Sequence, residues 1–163
     1  MVLAAVNQDG TAISALIDEW KNDKEIALIA VKQDGRALSD VSSDLQADRE
    51  IVISAVTNWG SALEYAYEKL QANKEVVLTA VQKNIPEPDY EIDERTVTAG
   101  LALEYASADL QADREVVETA VTENGKAIRY ASNELRADKD LALKAVSGLG
   151  GALAFVSDDL KAD

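Results

Sequence analysis

The stretch Gly60-Ser-Ala-Leu-Glu-Tyr-Ala-Tyr-Glu-Lys-Leu-Gln-Ala-Asn-Lys-Glu-Val-Val-Leu-Thr-Ala-Val81 is answered 40 residues on by Gly100-Leu-Ala-Leu-Glu-Tyr-Ala-Ser-Ala-Asp-Leu-Gln-Ala-Asp-Arg-Glu-Val-Val-Glu-Thr-Ala-Val121. Agreement in so many columns marks a repeat. Working outward, the leading glycine recurs at Gly10, Gly35, Gly60, Gly100, Gly125 and Gly150, in steps of 25, 25, 40, 25 and 25. The long step is one unit plus an insertion of 15 residues. Alanine stands two places after every glycine (Ala12, Ala37, Ala62, Ala102, Ala127, Ala152), followed each time by Ile or Leu. A large apolar residue comes at the tenth place (Trp20, Leu45, Leu70, Leu110, Leu135, Leu160), then Asp or Asn, then the pair Ala-Val.

Within a unit, Ala62, Leu63, Ala66 and Leu70 fall on one face of a 3.6-residue period, and so do Val76, Val77, Ala80 and Val81. Each unit therefore reads as two short helices. Asp23, Asp48, Asn73, Asp113 and Asp138 sit where the N-cap of the second helix belongs, with an acid two places on that favours the positive end of the helix dipole. The glycine is read as a left-handed stop after the second helix. Helices of about ten residues are marginal alone in water, so the units must stack. The expectation is an all-α solenoid of about twelve helices in six 25-residue helix–turn–helix repeats, a single domain over 1–163 interrupted at 85–99.

Composition narrows the function. Thirty acidic against sixteen basic residues give a net charge of −14, which argues against binding nucleic acid or an anionic membrane surface. With no cysteine and no histidine, the chain has no thiolate nucleophile, no imidazole base, and no Cys/His zinc or haem site. No apolar run approaches the roughly 20 residues of a membrane span, and no basic-then-apolar leader is seen, so an intracellular location is favoured. Residues 1–6 read as the back half of a second helix, and the sequence stops where the next would begin. That frame suggests a segment of a longer array whose terminal repeats could self-associate.

The phrases Ala62-Leu-Glu-Tyr-Ala66, Leu70-Gln-Ala-Asn-Lys-Glu-Val-Val-Leu-Thr-Ala-Val81 and Asn124-Gly-Lys-Ala-Ile-Arg-Tyr-Ala-Ser132 resemble the tandem repeat family known as domain of unknown function 4116. The resemblance runs over nearly all of the chain outside residues 85–99 and is weakest in the first copy, where Ala15 replaces Tyr and Trp20 replaces Leu. It implies tandem helical repeats. It supplies no activity and no catalytic residues.

Candidate binding residues are aromatic. Five places after the glycine stand Tyr65, Tyr105, Tyr130 and Phe155, a ladder that either packs each unit on its neighbour or offers rings to a partner. Trp59 breaks a column of Asp9, Asp34, Asn124 and Leu149, and Tyr67 breaks a column of Ser42, Ser107, Ser132 and Ser157. With Tyr65 they are expected to cluster. The insertion, Ile85 to Ala99, contains Tyr90 and is either a binding loop or a tolerated surface excursion. Asp89, Glu91 and Asp93 alternate as calcium ligands do, but Glu94 and Gly100 occupy the places where an EF-hand needs Gly and a bidentate Glu. The recurrent cations Lys24, Arg49, Lys74, Arg114 and Lys139 most simply pair with nearby acids. These features point to a protein–protein interaction or scaffolding module without catalysis, metal or cofactor. A carboxylate- and tyrosine-lined ligand site or enzyme subunit, and a structural spacer, are the alternatives.

Overall fold

A computed structural model describes residues 6–82, 101–148 and 150–157. Among these the chain is all-α, built from stacked units, with no strand. The second helix of each unit is as read: Lys24–Gln33, Arg49–Asn58, Lys74–Gln82, Arg114–Glu123 and Lys139–Gly148. Its buried stripe, Val76, Val77, Ala80 and Val81 in the third unit, is fully shielded from solvent. The stripe packs against the next unit's second helix and against the buried Ile or Leu of the first half (Ile13, Leu38, Leu63, Leu103, Ile128). Each such aliphatic side chain contributes about 1.5–3 kcal/mol by leaving water.

The first half of the unit differs from a single helix. It is a 3₁₀ helix starting near the glycine (Gly35–Ser39, Gly60–Tyr65, Leu101–Tyr105, Gly125–Tyr130) and then a separate one-turn α-helix (Ser43–Gln46, Glu68–Gln71, Ala108–Gln111, Asn133–Arg136). Between them two residues are extended; Ala66 has φ −72° and ψ 144°, Tyr67 φ −61° and ψ 143°. The break has a cause. The N–H of the second extended residue donates to a carbonyl of the preceding unit: Ser42 to Lys21 at 3.1 Å, Tyr67 to Gln46 at 3.0 Å, Ser107 to Gln71 at 3.0 Å, Ser132 to Gln111 at 2.9 Å, Ser157 to Arg136 at 3.1 Å. A continuous helix would turn that N–H inward along its own axis. Apolar spacing is blind to the choice, because both geometries put the same residues on the core side.

The bond between Ser107 and Gln71 spans the insertion, so the third and fourth units stack as any other pair does. Residues 85–99 themselves lie outside the described residues.

The glycine also plays another part than the one read from sequence. Gly10, Gly35 and Gly125 are not left-handed. The long helix ends on an extended residue, Asp34 at φ −143°, which is at once the N-cap of the next 3₁₀ helix and accepts from Arg36 N–H. Glycine is needed because the backbone there lies against the second helix of its own unit. A Cβ on Gly35 would stand 2.5 Å from the Ala55 carbonyl oxygen and 2.8 Å from the Trp59 Cβ. A Cβ on Gly10 would meet the Ala30 oxygen at the same 2.5 Å. Alanine gains helix propensity over glycine, but forced contacts of this kind cost about 1–3 kcal/mol. Gly35→Ala is therefore expected to destabilise the chain by that amount, seen as a lower midpoint in urea unfolding.

Candidate functional site

The aromatic ladder is built from the ends of the 3₁₀ helices. Tyr65, Tyr105, Tyr130 and Phe155 are half-buried and pack on the core. Each of the last three also meets the side chain four places after the glycine of the preceding unit. Burial first, then the nearby acids with Glu64 accepting its O–H, pushes the Tyr105 hydroxyl up. Burial, then the hydrogen bond to Glu104, pushes Tyr130 up to about 12. Phe155 has no hydroxyl to donate, and the preceding unit there supplies Arg129 instead of an acid. The Arg129 guanidinium lies 5.1 Å from the centre of the Phe155 ring and 4.9 Å from that of Tyr130, an attraction between cation and ring face. Ring and partner thus change together.

Before Tyr65 that place holds Ser39, whose hydroxyl donates to its own unit's Arg36 carbonyl at 2.9 Å. The Tyr65 ring meets Trp59 instead, centroids 6.4 Å apart and planes tilted by 32°. Trp59 occupies the N-cap place of its 3₁₀ helix but makes no side-chain cap bond. Asp9, Asp34 and Asn124 make that bond in their own units, to Thr11, Arg36 and Lys126. The indole has exchanged a cap for packing. The structure therefore joins Trp59 with Tyr65 and leaves Tyr67 apart from that ring pair, 60% exposed. Tyr90, Asp89, Glu91 and Asp93 lie outside the described residues.

The recurrent cations form a seam between units. Lys24 reaches Asp48 at 2.8 Å and Glu50 at 2.9 Å, Lys74 reaches Asp113 at 2.7 Å and Glu115 at 2.8 Å, and Arg114 reaches Asp138 at 2.7 Å. The receiving Asp is the N-cap of the next unit's long helix. In Asp48 and Asp113, Oδ1 accepts the first-turn amides (for Asp48, Glu50 and Ile51) while Oδ2 accepts the preceding unit's cation. In the third unit the cap is Asn73, which keeps the amide bond to Val76 but carries no charge, and Arg49 pairs with Glu75 instead. The Lys74 ammonium beside Asp113 holds its carboxyl below the usual range, and Arg114 does the same for Asp138; the capping amides add to both. For Asp48 burial pushes up, but Lys24 and the amides outweigh it.

One recurrent residue escapes an apolar-and-charge reading. Gln46, Gln71 and Gln111 donate to the carbonyls of Leu38, Leu63 and Leu103, at 3.0, 3.0 and 3.1 Å, closing the 3₁₀ helix that precedes them. The signal was its recurrence eleven places after the glycine. In the fifth unit Arg136 stands there and donates instead to the Phe155 carbonyl of the next unit, at 2.8 Å.

Among the described residues, no helix is long and apolar enough to cross a membrane, and no three Asp or Glu converge as a metal site would require. What the fold and this edge define is a tandem α-helical repeat whose recurrent polar side chains join one unit to the next. The profile of the family described as Domain of unknown function (DUF4116) matches residues 1–46, 48–85 and 98–136. The chain belongs to that family, and the gap between the second and third matches falls at the insertion. No curated protein and no solved structure matches the chain.

Two outcomes follow from this geometry. Asp113→Ala removes cap and cation contact together and should cost about 1 kcal/mol or more. Asp113→Asn, which copies Asn73, should cost only the exposed pair, about 0.2–1 kcal/mol. Urea unfolding of both variants measures the difference. Because the folded carboxyl is held low, its contribution is present above the unfolded carboxylate pKa of about 3.9 and is lost as pH falls through the lower folded value. Asp113→Asn should accordingly flatten the acid limb of the stability curve. In alkali the sign reverses. The neutral Tyr130 hydroxyl contributes stability below the unfolded tyrosine pKa, about 10, and loses it as pH rises towards about 12. A tyrosinate absorbance titration should show a late-ionising tyrosine that disappears in Tyr130→Phe.

Proposed function

We propose that the chain is a protein–protein interaction or scaffolding module without intrinsic catalysis. The observation that carries this reading is Tyr67. It stands mid-array in a column otherwise filled by serine or Ile17, its backbone N–H is fixed to Gln46, and its side chain is 60% exposed. A large ring held out on a rigid edge is a contact group, since aromatic anchors dominate binding energy in protein interfaces. Other recurrent polar groups, namely Asp48, Asp113 and Asp138 with the cations that meet them and the Tyr105 and Tyr130 hydroxyls, are engaged between units and support a scaffold more readily than a reaction centre. Repeat arrays suit this role because stacking yields an extended surface.

Tyr67→Ser reproduces the residue its column carries in neighbouring units, so the fold should be unchanged by circular dichroism. Affinity capture from the source cell with wild-type and variant chains side by side should then show a partner lost, or reduced about tenfold or more, with the variant. Identical partners at identical yield would contradict the reading.

A further inference from the structure

Three exposed large apolar side chains share the edge formed by the one-turn helices. Ile17 is 62% exposed, Trp20 39% and Tyr67 60%. Ile17 and Tyr67 belong to the same column; the serines that fill it elsewhere, Ser42, Ser107, Ser132 and Ser157, are half-buried, and the larger side chain of Tyr67 reaches out beyond them although a unit is stacked on either side. Trp20 lies one helical turn after Ile17, at a place where Leu45, Leu70 and Leu110 are all buried. Between the first two one-turn helices runs an open groove of about 480 Å³, lined by Asp18, Glu19, Asn22, Ser42, Ser43 and Asp44. Along the edge, then, apolar groups at Ile17 and Trp20 are followed by a carboxylate-lined groove, then by Tyr67 with Glu68 beside it; Lys21 and Lys69 stand on the same helices, and the four acids Asp18, Glu19, Asp44 and Glu68 outnumber them.

The carboxylates on this edge differ from those of the seam. Asp48, Asp113 and Asp138 each meet a cation from the unit before. Asp18, Glu19, Asp44 and Glu68 are exposed and form no ion pair among the described residues. The chain as a whole carries −14. That sign repels a second copy of the chain and attracts a cationic partner, while the exposed aliphatic and aromatic groups offer the apolar contact that charge alone does not supply.

We propose that this edge docks a lysine- or arginine-rich protein segment bearing apolar side chains, with its cations over the groove and its apolar groups on Ile17, Trp20 and Tyr67. This rests on the interaction reading above and names the chemistry of the partner.

The test uses the whole chain and three short labelled peptides of equal length, capped at both ends: lysine with leucine, lysine alone, and glutamate with leucine. Binding is followed by fluorescence anisotropy at moderate salt. The lysine–leucine peptide should bind, and bind at least tenfold more tightly than the other two. Ile17→Ser/Tyr67→Ser should weaken it about tenfold or more, and Asp18→Asn/Asp44→Asn should do likewise. Glu25→Gln/Glu123→Gln, an equal loss of charge on the second-helix layer, should leave it unchanged. All the substituted side chains are exposed, so circular dichroism should be the same throughout. The proposal is overturned by any of four results: no binding, polylysine binding as tightly, indifference to the edge substitutions, or a dimer of the chain that the edge substitutions dissociate. If Tyr67→Ser loses a cellular partner while the lysine–leucine peptide fails to bind, the interaction reading stands and this one falls.

Discussion

One backbone hydrogen bond, repeated at each junction between units, organises the array. The N–H of Ser42, Tyr67, Ser107, Ser132 or Ser157 donates to the unit before it. For that N–H to face sideways the chain must be extended for two residues, and this divides the first half of each unit into a 3₁₀ helix and a single α-turn. The bond also fixes the residue that makes it at the edge of the stack, where Ser42 donates its hydroxyl to Asn22 of the preceding unit and Tyr67 holds its ring out to solvent. Serine makes the bond at four junctions and tyrosine at one.

Around this bond several polar side chains work in two directions. Asp48 caps its own helix with one oxygen and takes Lys24 of the previous unit with the other. Asn58 accepts the Gly35 N–H at 2.7 Å and donates to the Lys32 carbonyl at 3.1 Å, clamping the end of the first unit's long helix to the start of the second unit. Tyr130 packs on the core and reaches back to Glu104. Stacking is what makes helices of this length stable, since none buries enough surface alone. Where a column departs from its usual residue, the partner changes with it: Asn73 with Arg49 redirected to Glu75, Phe155 with Arg129, Trp59 with Tyr65.

How much of this was legible follows from what periodicity can register. The long helices, their Asp caps and their buried stripe were readable because the 3.6-residue spacing and the cap chemistry are both local. The pairing of cations with acids was readable in kind. The 3₁₀ segment was not, because positions two, three and six after the glycine face inward whether the chain forms one helix or a broken one. The part played by glycine is hidden from the sequence for a related reason. A glycine after a helix suggests a left-handed stop, and only the approach of the Ala55 carbonyl to Gly35 shows that the missing Cβ matters instead. Among the candidate residues, Trp59 and Tyr65 do meet, but Tyr67 stands apart from them, since the extended residues at 66 and 67 carry it onto the one-turn-helix edge.

The most direct measurement is residue-resolved amide hydrogen exchange under native conditions. Tyr67 and Ser107 lie between helices, and by local structure alone their amides should exchange rapidly. If the junction bonds organise the stack, these amides and that of Ser132 will be protected to the same degree as Val77 and Val117 in the long helices, and will be lost with them in one cooperative opening. Exchange at loop rates, while Val77 and Val117 stay protected, would show that apolar packing alone holds the units and that the junction bond is incidental.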